Sequence, residues 1–219
     1  MEKAVVLRSD FVTAATRPIA DDLSRRYVSA RAKVMWLPPA FEEFFEGLAA
    51  VEERRFHLVY AGRFSGSHSR RRPDVFFEAL QMALESESSM ARDFRMTLAG
   101  DYSARERALW SSGALGELVT TLGPVSQEEA LKLCAGATML LLVTAPGMKS
   151  VATRKLFDYL SVRRPIFALA GDNEAARIVE ETRSGVSAPP DDPAAVADGI
   201  LKAYRMWKEG RLEDCLLYT

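Results

Sequence analysis

From His57 onward, short apolar runs alternate with longer amphipathic ones, and that rhythm restricts the chain to one class of fold. Runs of about five apolar residues are the length of a buried strand, whereas apolar residues recurring every three or four positions make a helix with one buried face. Strict alternation of the two is satisfied by a parallel sheet covered by its own crossover helices. The strands expected from the sequence are His57–Ala61, Arg95–Ala99, Leu118–Leu122, Thr138–Val143, Pro165–Leu169 and a short one at Gly185–Ala188. Helices are expected at Pro73–Leu84, Ala104–Ser111, Gln127–Ala135, Thr153–Ser161 and Glu174–Glu181, with a long final one over Pro193–Lys208. Several boundaries carry their own signals. Ser126 with Glu129 makes a capping box, Gly123-Pro124 ends a strand, and Asp191-Asp192-Pro193 opens the last helix with an acidic cap. The fold class is therefore α/β, a doubly wound and mostly parallel sheet.

The first segment breaks the rhythm: a strand at Asp10–Ala15, an amphipathic helix at Pro18–Tyr27, and a strand at Val34–Leu37 that stops at Pro38-Pro39. At 219 residues the chain supports one substantial core, about one and a half typical domains. Its 29 basic and 30 acidic residues nearly cancel, which argues against nucleic acid or an anionic membrane as the main partner. Cys134 and Cys215 lie too far apart for a paired metal motif and read as reduced structural thiols. With no signal-peptide pattern and no apolar stretch near 18 residues, the expectation is a soluble, cytoplasmic chain without an integral membrane segment.

The most chemically pointed stretch is Ser150-Val-Ala-Thr-Arg-Lys155-Leu-Phe-Asp158-Tyr-Leu-Ser, followed by Arg164-Pro165-Ile166. It places a cation and a carboxylate three residues apart in the opening turns of a helix that leads into a buried strand. Helix N-termini suit phosphate, and a carboxylate further along can accept two ribose hydroxyls. This string resembles the Lys-Leu-Phe-Glu-Tyr-Leu…Pro-Ile segment in the donor-binding domain of retaining, two-domain nucleotide-sugar glycosyltransferases of the group 1 type, with Asp158 where Glu is usual. The resemblance implies the Rossmann-like C-terminal half of a GT-B enzyme. Residues 1 to about 45 would then be the tail of an N-terminal domain plus a linker, residues 46–209 the donor domain, and residues 210–219 the start of a helix crossing back.

The resemblance also implies roles. Gly62 and Arg63 end the first strand of the repeat, where Arg63 would neutralise the diphosphate together with a second cation from Arg70, Arg71 or Arg72. Lys155 would join Arg63 in stabilising the leaving diphosphate; Ser150 and Val151 would offer backbone N–H groups to phosphate; Asp158 would take the ribose; Val125 would hold the base edge through its backbone. Tyr102 either stacks on the base or closes the core. His57 and His68 have no catalytic context. The familiar pair of acids separated by seven residues is broken, since Ser150 stands where the first would fall, so the sugar is left open. No cofactor or metal is called for; the partners are a nucleotide-sugar donor and, through the N-terminal domain, a glycan, lipid or small-molecule acceptor. Two other readings stay open: a nucleotide-sugar epimerase of the same architecture, and a non-catalytic nucleotide-binding or interaction module.

Overall fold

The computed structural model of the chain describes residues 1–40, 55–65 and 69–216. Gly66, His68, the far part of the expected linker and the last three residues lie outside them.

Two sheets form. The N-terminal unit runs α1 (Glu2–Arg8), β1 (Val12–Ala14), α2 (Arg17–Arg26), a 3-10 segment (Val28–Lys33) and β2 (Val34–Trp36). β1 and β2 pair in parallel, Val12 opposite Val34 and Ala14 opposite Trp36. The connecting α2 begins with Pro18 in its first turn and buries Ala20 and Leu23 against Val6, Ala14 and Ala30. α1 is not anticipated by the sequence reading, because one buried residue, Val6, gives no periodicity to detect. Glu2 in its first turn and Arg8 in its last complement the helix dipole.

The main sheet follows the expected alternation: β3 (Phe56–Ala61), α3 (Pro73–Ser86), α4 (Met90–Asp93), β4 (Phe94–Ala99), α5 (Ala104–Arg107), α6 (Gly113–Leu118), β5 (Val119–Gly123), α7 (Gln127–Ala135), β6 (Met139–Val143), α8 (Arg154–Ser161), β7 (Ile166–Leu169), α9 (Glu174–Glu181), β8 (Gly185–Ala188) and α10 (Pro193–Lys208). Its six strands lie in the order β5-β4-β3-β6-β7-β8, all neighbours parallel. Every residue of β6 and β7 is buried, which is why Met-Leu-Leu-Leu-Val and Ile-Phe-Ala-Leu are unbroken apolar runs. α3 and α10 pack over one face with Phe56, Tyr60, Phe94 and Phe167. α7, α8 and α9 cover the other with Val59, Leu140, Leu142 and Ala168.

The caps read from sequence are formed: Ser126 and Glu129 exchange both capping bonds, and the Asp192 carboxylate accepts the Ala195 N–H. One expected helix is shorter than anticipated, and a helix the sequence reading did not anticipate follows it. Ala104–Ser111 closes after Arg107, and a second helix starts at Gly113, whose positive φ of 62° follows Ser112 at the cap. A serine pair and a glycine interrupt the run there, because they favour turns over continued helix. No helix among the described residues is long and apolar enough to cross a membrane.

Candidate functional site

The strand order makes β3 and β6 neighbours whose chains leave in opposite directions, so a crevice opens at their carboxyl ends. This is where ligands settle in open parallel sheets. Gly62 and Arg63 leave β3 there, and the 144–153 loop leaves β6 for α8.

The bottom of this rim is main chain. The Gly62 N–H donates to the Ala99 carbonyl and the Gly100 N–H to the Gly123 carbonyl, each at 2.7 Å. Gly62 has φ 150° and Gly100 φ 159°. A Cβ on Gly100 would strike the Gly62 carbonyl, and a Cβ on Gly62 would strike the Lys155 ammonium. Both positions therefore require glycine for close approach.

Lys155 reaches back from the first turn of α8 to this point. Its Nζ lies 5.1 Å from the Tyr60 ring centre and 5.7 Å from that of Tyr159. Tyr159 anchors α8 to β3 by accepting the Ala61 N–H at 3.5 Å, and Phe64 stacks on Tyr60 at 4.3 Å. Among the described residues Lys155 makes no ion pair or hydrogen bond. Burial lowers its pKa below the ordinary value and Arg71 adds to that effect, while the Asp158 carboxylate partly opposes it. Burial likewise pushes the neighbouring Cys134 thiol up to about 12, leaving it protonated and inert.

The three arginines of the following loop separate in space. Arg71 turns inward and donates from Nη1 to the Arg63 carbonyl at 3.0 Å, where the Tyr60 hydroxyl also donates at 2.7 Å. Its Nε is buried without a partner. Arg72 grips both oxygens of Asp74, at 3.0, 3.0 and 2.7 Å. Arg70 is exposed, as is the Arg63 side chain. Two cations, Lys155 and Arg71, thus converge on Tyr60.

Asp158 is one turn further along α8 and partly exposed. Its ion-pair partner is Arg154, at 3.7 Å, rather than Lys155. Ser150 and Val151 lie in the loop just before the helix; the Ser150 carbonyl accepts the Thr16 hydroxyl at 2.9 Å, and the Val151 N–H turns back to the Met148 carbonyl at 3.3 Å. Thr153 occupies the helix cap but bonds no N–H with its side chain, and its Oγ1 is buried without a partner. Val125 follows β5, two strands across the sheet from β3, with its side chain packed partly on the α7 and α8 core.

Tyr102 belongs to the core, in contact with Phe64 and Trp110. His57 is the second residue of β3, toward the end of the strand away from the rim, with its Nε2 2.8 Å from Thr97 Oγ1. Glu106 was not singled out from the sequence. One of its oxygens accepts the Ser65 N–H and hydroxyl, and the other accepts those of Ser103. Those four bonds hold its carboxyl below the usual range against the opposing cost of burial, and they fix the loop that carries Arg63. The Ser103-x-x-Glu106 capping box was the legible half of this signal.

Two cations, a helix N-terminus and a floor of glycine backbone give this rim the character of an anion site, with the Asp158 carboxylate beyond it.

The architecture recurs in solved structures. WaaG, a glycosyltransferase involved in lipopolysaccharide biosynthesis, aligns with 93% of this chain and 56% of its own at 17% identity and a TM-score of 0.68. Anabaena Alr3699/HepE, solved in complex with UDP and glucose, aligns over 98% of this chain and 59% of its own, at 14% identity and a TM-score of 0.64. The C-terminal domain of the group 1 family glycosyl transferase LpcC from Francisella tularensis aligns over 76% of this chain and 88% of its own, at 15% identity and a TM-score of 0.55. The chain thus spans just over half the length of WaaG and HepE, and at these identities the likeness concerns the fold. A search of curated proteins returns no match. The sequence profile described as Glycosyl transferases group 1 matches residues 55–206, from the start of β3 to the last turns of α10, and the chain belongs to that family.

Proposed function

We propose that this chain is the donor half of a retaining glycosyltransferase and binds a nucleotide-diphosphate sugar in the crevice between β3 and β6. One observation carries the reading: Lys155 is held in a half-buried position beside Gly62, its charge is disfavoured by burial, and among the described residues no carboxylate forms an ion pair with it, Asp158 acting on it only at a distance. A charge kept there without a partner is costly for the fold alone, and a diphosphate supplies the missing counter-charge. Arg71 adds a second cation, and the α8 N-terminus adds its unpaired N–H groups. The UDP and glucose bound by the HepE protein have the chemistry this site would take.

In transfer, the bond between the sugar and the diphosphate breaks and its electron pair goes to a phosphate oxygen. Lys155, Arg71 and Arg63 would stabilise that growing charge without supplying a covalent nucleophile. Asp158 would hold the ribose and the Val125 main chain the base edge. The acceptor would come with an N-terminal domain of which residues 1 to about 45 are the tail, and the cytoplasm would be the setting. Neither a metal nor a further cofactor enters this scheme.

Calorimetric titration with UDP, GDP, ADP and the matching monophosphates tests it. The expected result is binding of one nucleoside diphosphate clearly tighter than its monophosphate, weakening as salt is added. Equal affinity for both, indifferent to salt, would sink the diphosphate site.

A further inference from the structure

The loop before α8 is gripped from two directions. Its Lys149 carbonyl accepts the Glu174 backbone N–H at 2.9 Å, from the first residue of α9. Its Ser150 carbonyl accepts the Thr16 hydroxyl at 2.9 Å, from a residue 134 positions earlier at the cap of α2. Thr16 is 2% exposed and bonds no N–H of its own helix with its side chain, so its hydroxyl is committed to the loop. Glu174, 3% exposed, strengthens the same junction: its carboxylate is paired first with Arg177, at 2.7 and 2.8 Å, and also receives the Arg17 backbone N–H.

A trans peptide points its N–H opposite to its C=O. Fixing the Lys149 carbonyl through Glu174 therefore fixes the direction of the Ser150 N–H, and fixing the Ser150 carbonyl through Thr16 fixes that of the Val151 N–H, which closes a turn onto the Met148 carbonyl at 3.3 Å. The donor reading assigns both N–H groups to phosphate, and the turn that Thr16 holds leaves that of Ser150 without a backbone carbonyl partner among the described residues.

We infer that Thr16 is a positioning residue for the phosphate loop: the N-terminal β1-α2-β2 unit, through this one hydroxyl, holds the Met148–Val151 turn that carries the Ser150 amide and so couples its own placement to diphosphate binding. The inference rests on the proposed donor site. Coupling of this kind is reciprocal, so diphosphate must also steady the N-terminal unit.

The test uses the full chain and whichever of UDP, GDP or ADP binds it best, with the matching monophosphate as reference. Thr16→Val keeps shape and removes the hydroxyl; Thr16→Ser keeps the hydroxyl and removes a methyl. Thr16→Val is expected to weaken the diphosphate about three- to tenfold, the range one neutral hydrogen bond supplies, with the monophosphate nearly unaffected and Thr16→Ser close to wild type. The diphosphate should also slow proteolysis within residues 1–36 in wild type and Thr16→Ser but not in Thr16→Val. Unchanged affinity in Thr16→Val, or an equal loss for monophosphate and diphosphate, overturns the inference while leaving the donor site standing. Wild type that binds no nucleoside diphosphate overturns the donor reading itself and this coupling with it.

Discussion

Lys155 and Gly62 fit together so closely that a single added methyl on the glycine would occupy the place of the ammonium. The contact joins the first turn of α8 to the end of β3, and it makes the backbone of one a condition for the charge of the other.

Gly62→Ala should therefore expel the Lys155 ammonium from the rim. The φ of 150° adds backbone strain, and together these should cost at least about 1 kcal/mol of stability. Diphosphate affinity should fall with it. A crystal structure or a lysine-reactivity measurement showing Lys155 unmoved would refute the expectation.

Lys155→Met separates stability from binding. Removing a half-buried cation that has no carboxylate ion-pair partner among the described residues should leave the melting temperature unchanged or higher, while diphosphate binding is lost. A variant that unfolds would mean the lysine serves the scaffold instead.

The same lysine dictates a pH dependence, and its sign follows from the lowered pKa. Below that pKa the charge is present in both folded and unfolded chains, and its burial penalty stands in full. As pH rises from the folded-state pKa toward the ordinary 10.5, the unfolded chain binds more protons, so Lys155 favours the folded state increasingly with pH. Diphosphate affinity runs the other way: greatest where Lys155 is charged, and declining at a lower pH than an ordinary lysine would permit. Titrations across the alkaline range, compared with Lys155→Met, read this directly; identical slopes in the two proteins would contradict it.

Arg71 and Arg72 are adjacent in sequence but should behave oppositely. Arg71→Ala should weaken the diphosphate about tenfold or more, the loss expected of one charged hydrogen bond. Arg72→Ala should change affinity little, because that guanidinium is occupied by Asp74. Equal effects would show that the loop rearranges around ligand.

Asp158→Asn should lower nucleotide affinity by about 1.5–3 kcal/mol if the carboxylate accepts ribose hydroxyls. The fold should barely notice, since the Arg154 pair it forfeits is solvent-exposed and worth little. A large drop in melting temperature would assign Asp158 to the scaffold.

The sheet was readable because β6 and β7 are apolar on both faces and their lengths separate them from helices; their observed limits differ by one residue from those expected. Gln127–Ala135 and Pro193–Lys208 were readable to the residue because Ser126 and Asp192 cap them. The break after Arg107 was not, since Ala104–Ser111 has helical spacing and the competing serines act only through turn geometry. At the site, Lys155 and Gly62 could be named individually, but not their contact, which depends on the twist that brings α8 over β3. Nothing in Arg70-Arg71-Arg72 distinguishes its members: selection came from Asp74 two residues beyond Arg72 and from the Arg63 carbonyl, eight residues before Arg71. Contacts over long separations, such as Thr16 with Ser150, left no trace in local pattern.

The glycine carbonyl-and-amide floor under the rim has a consequence for how such a site can diversify. Gly62 and Gly100 present only peptide; a side chain on Gly100 would meet the Gly62 carbonyl, and one on Gly62 would have to displace the Lys155 ammonium. Substitution there cannot teach the site a new ligand; it can only ruin the old one. Whatever distinguishes one donor from another must be written in the surrounding walls, in the loop that ends at Thr153 and the arginine loop after β3, which can drift in sequence while the floor stays fixed.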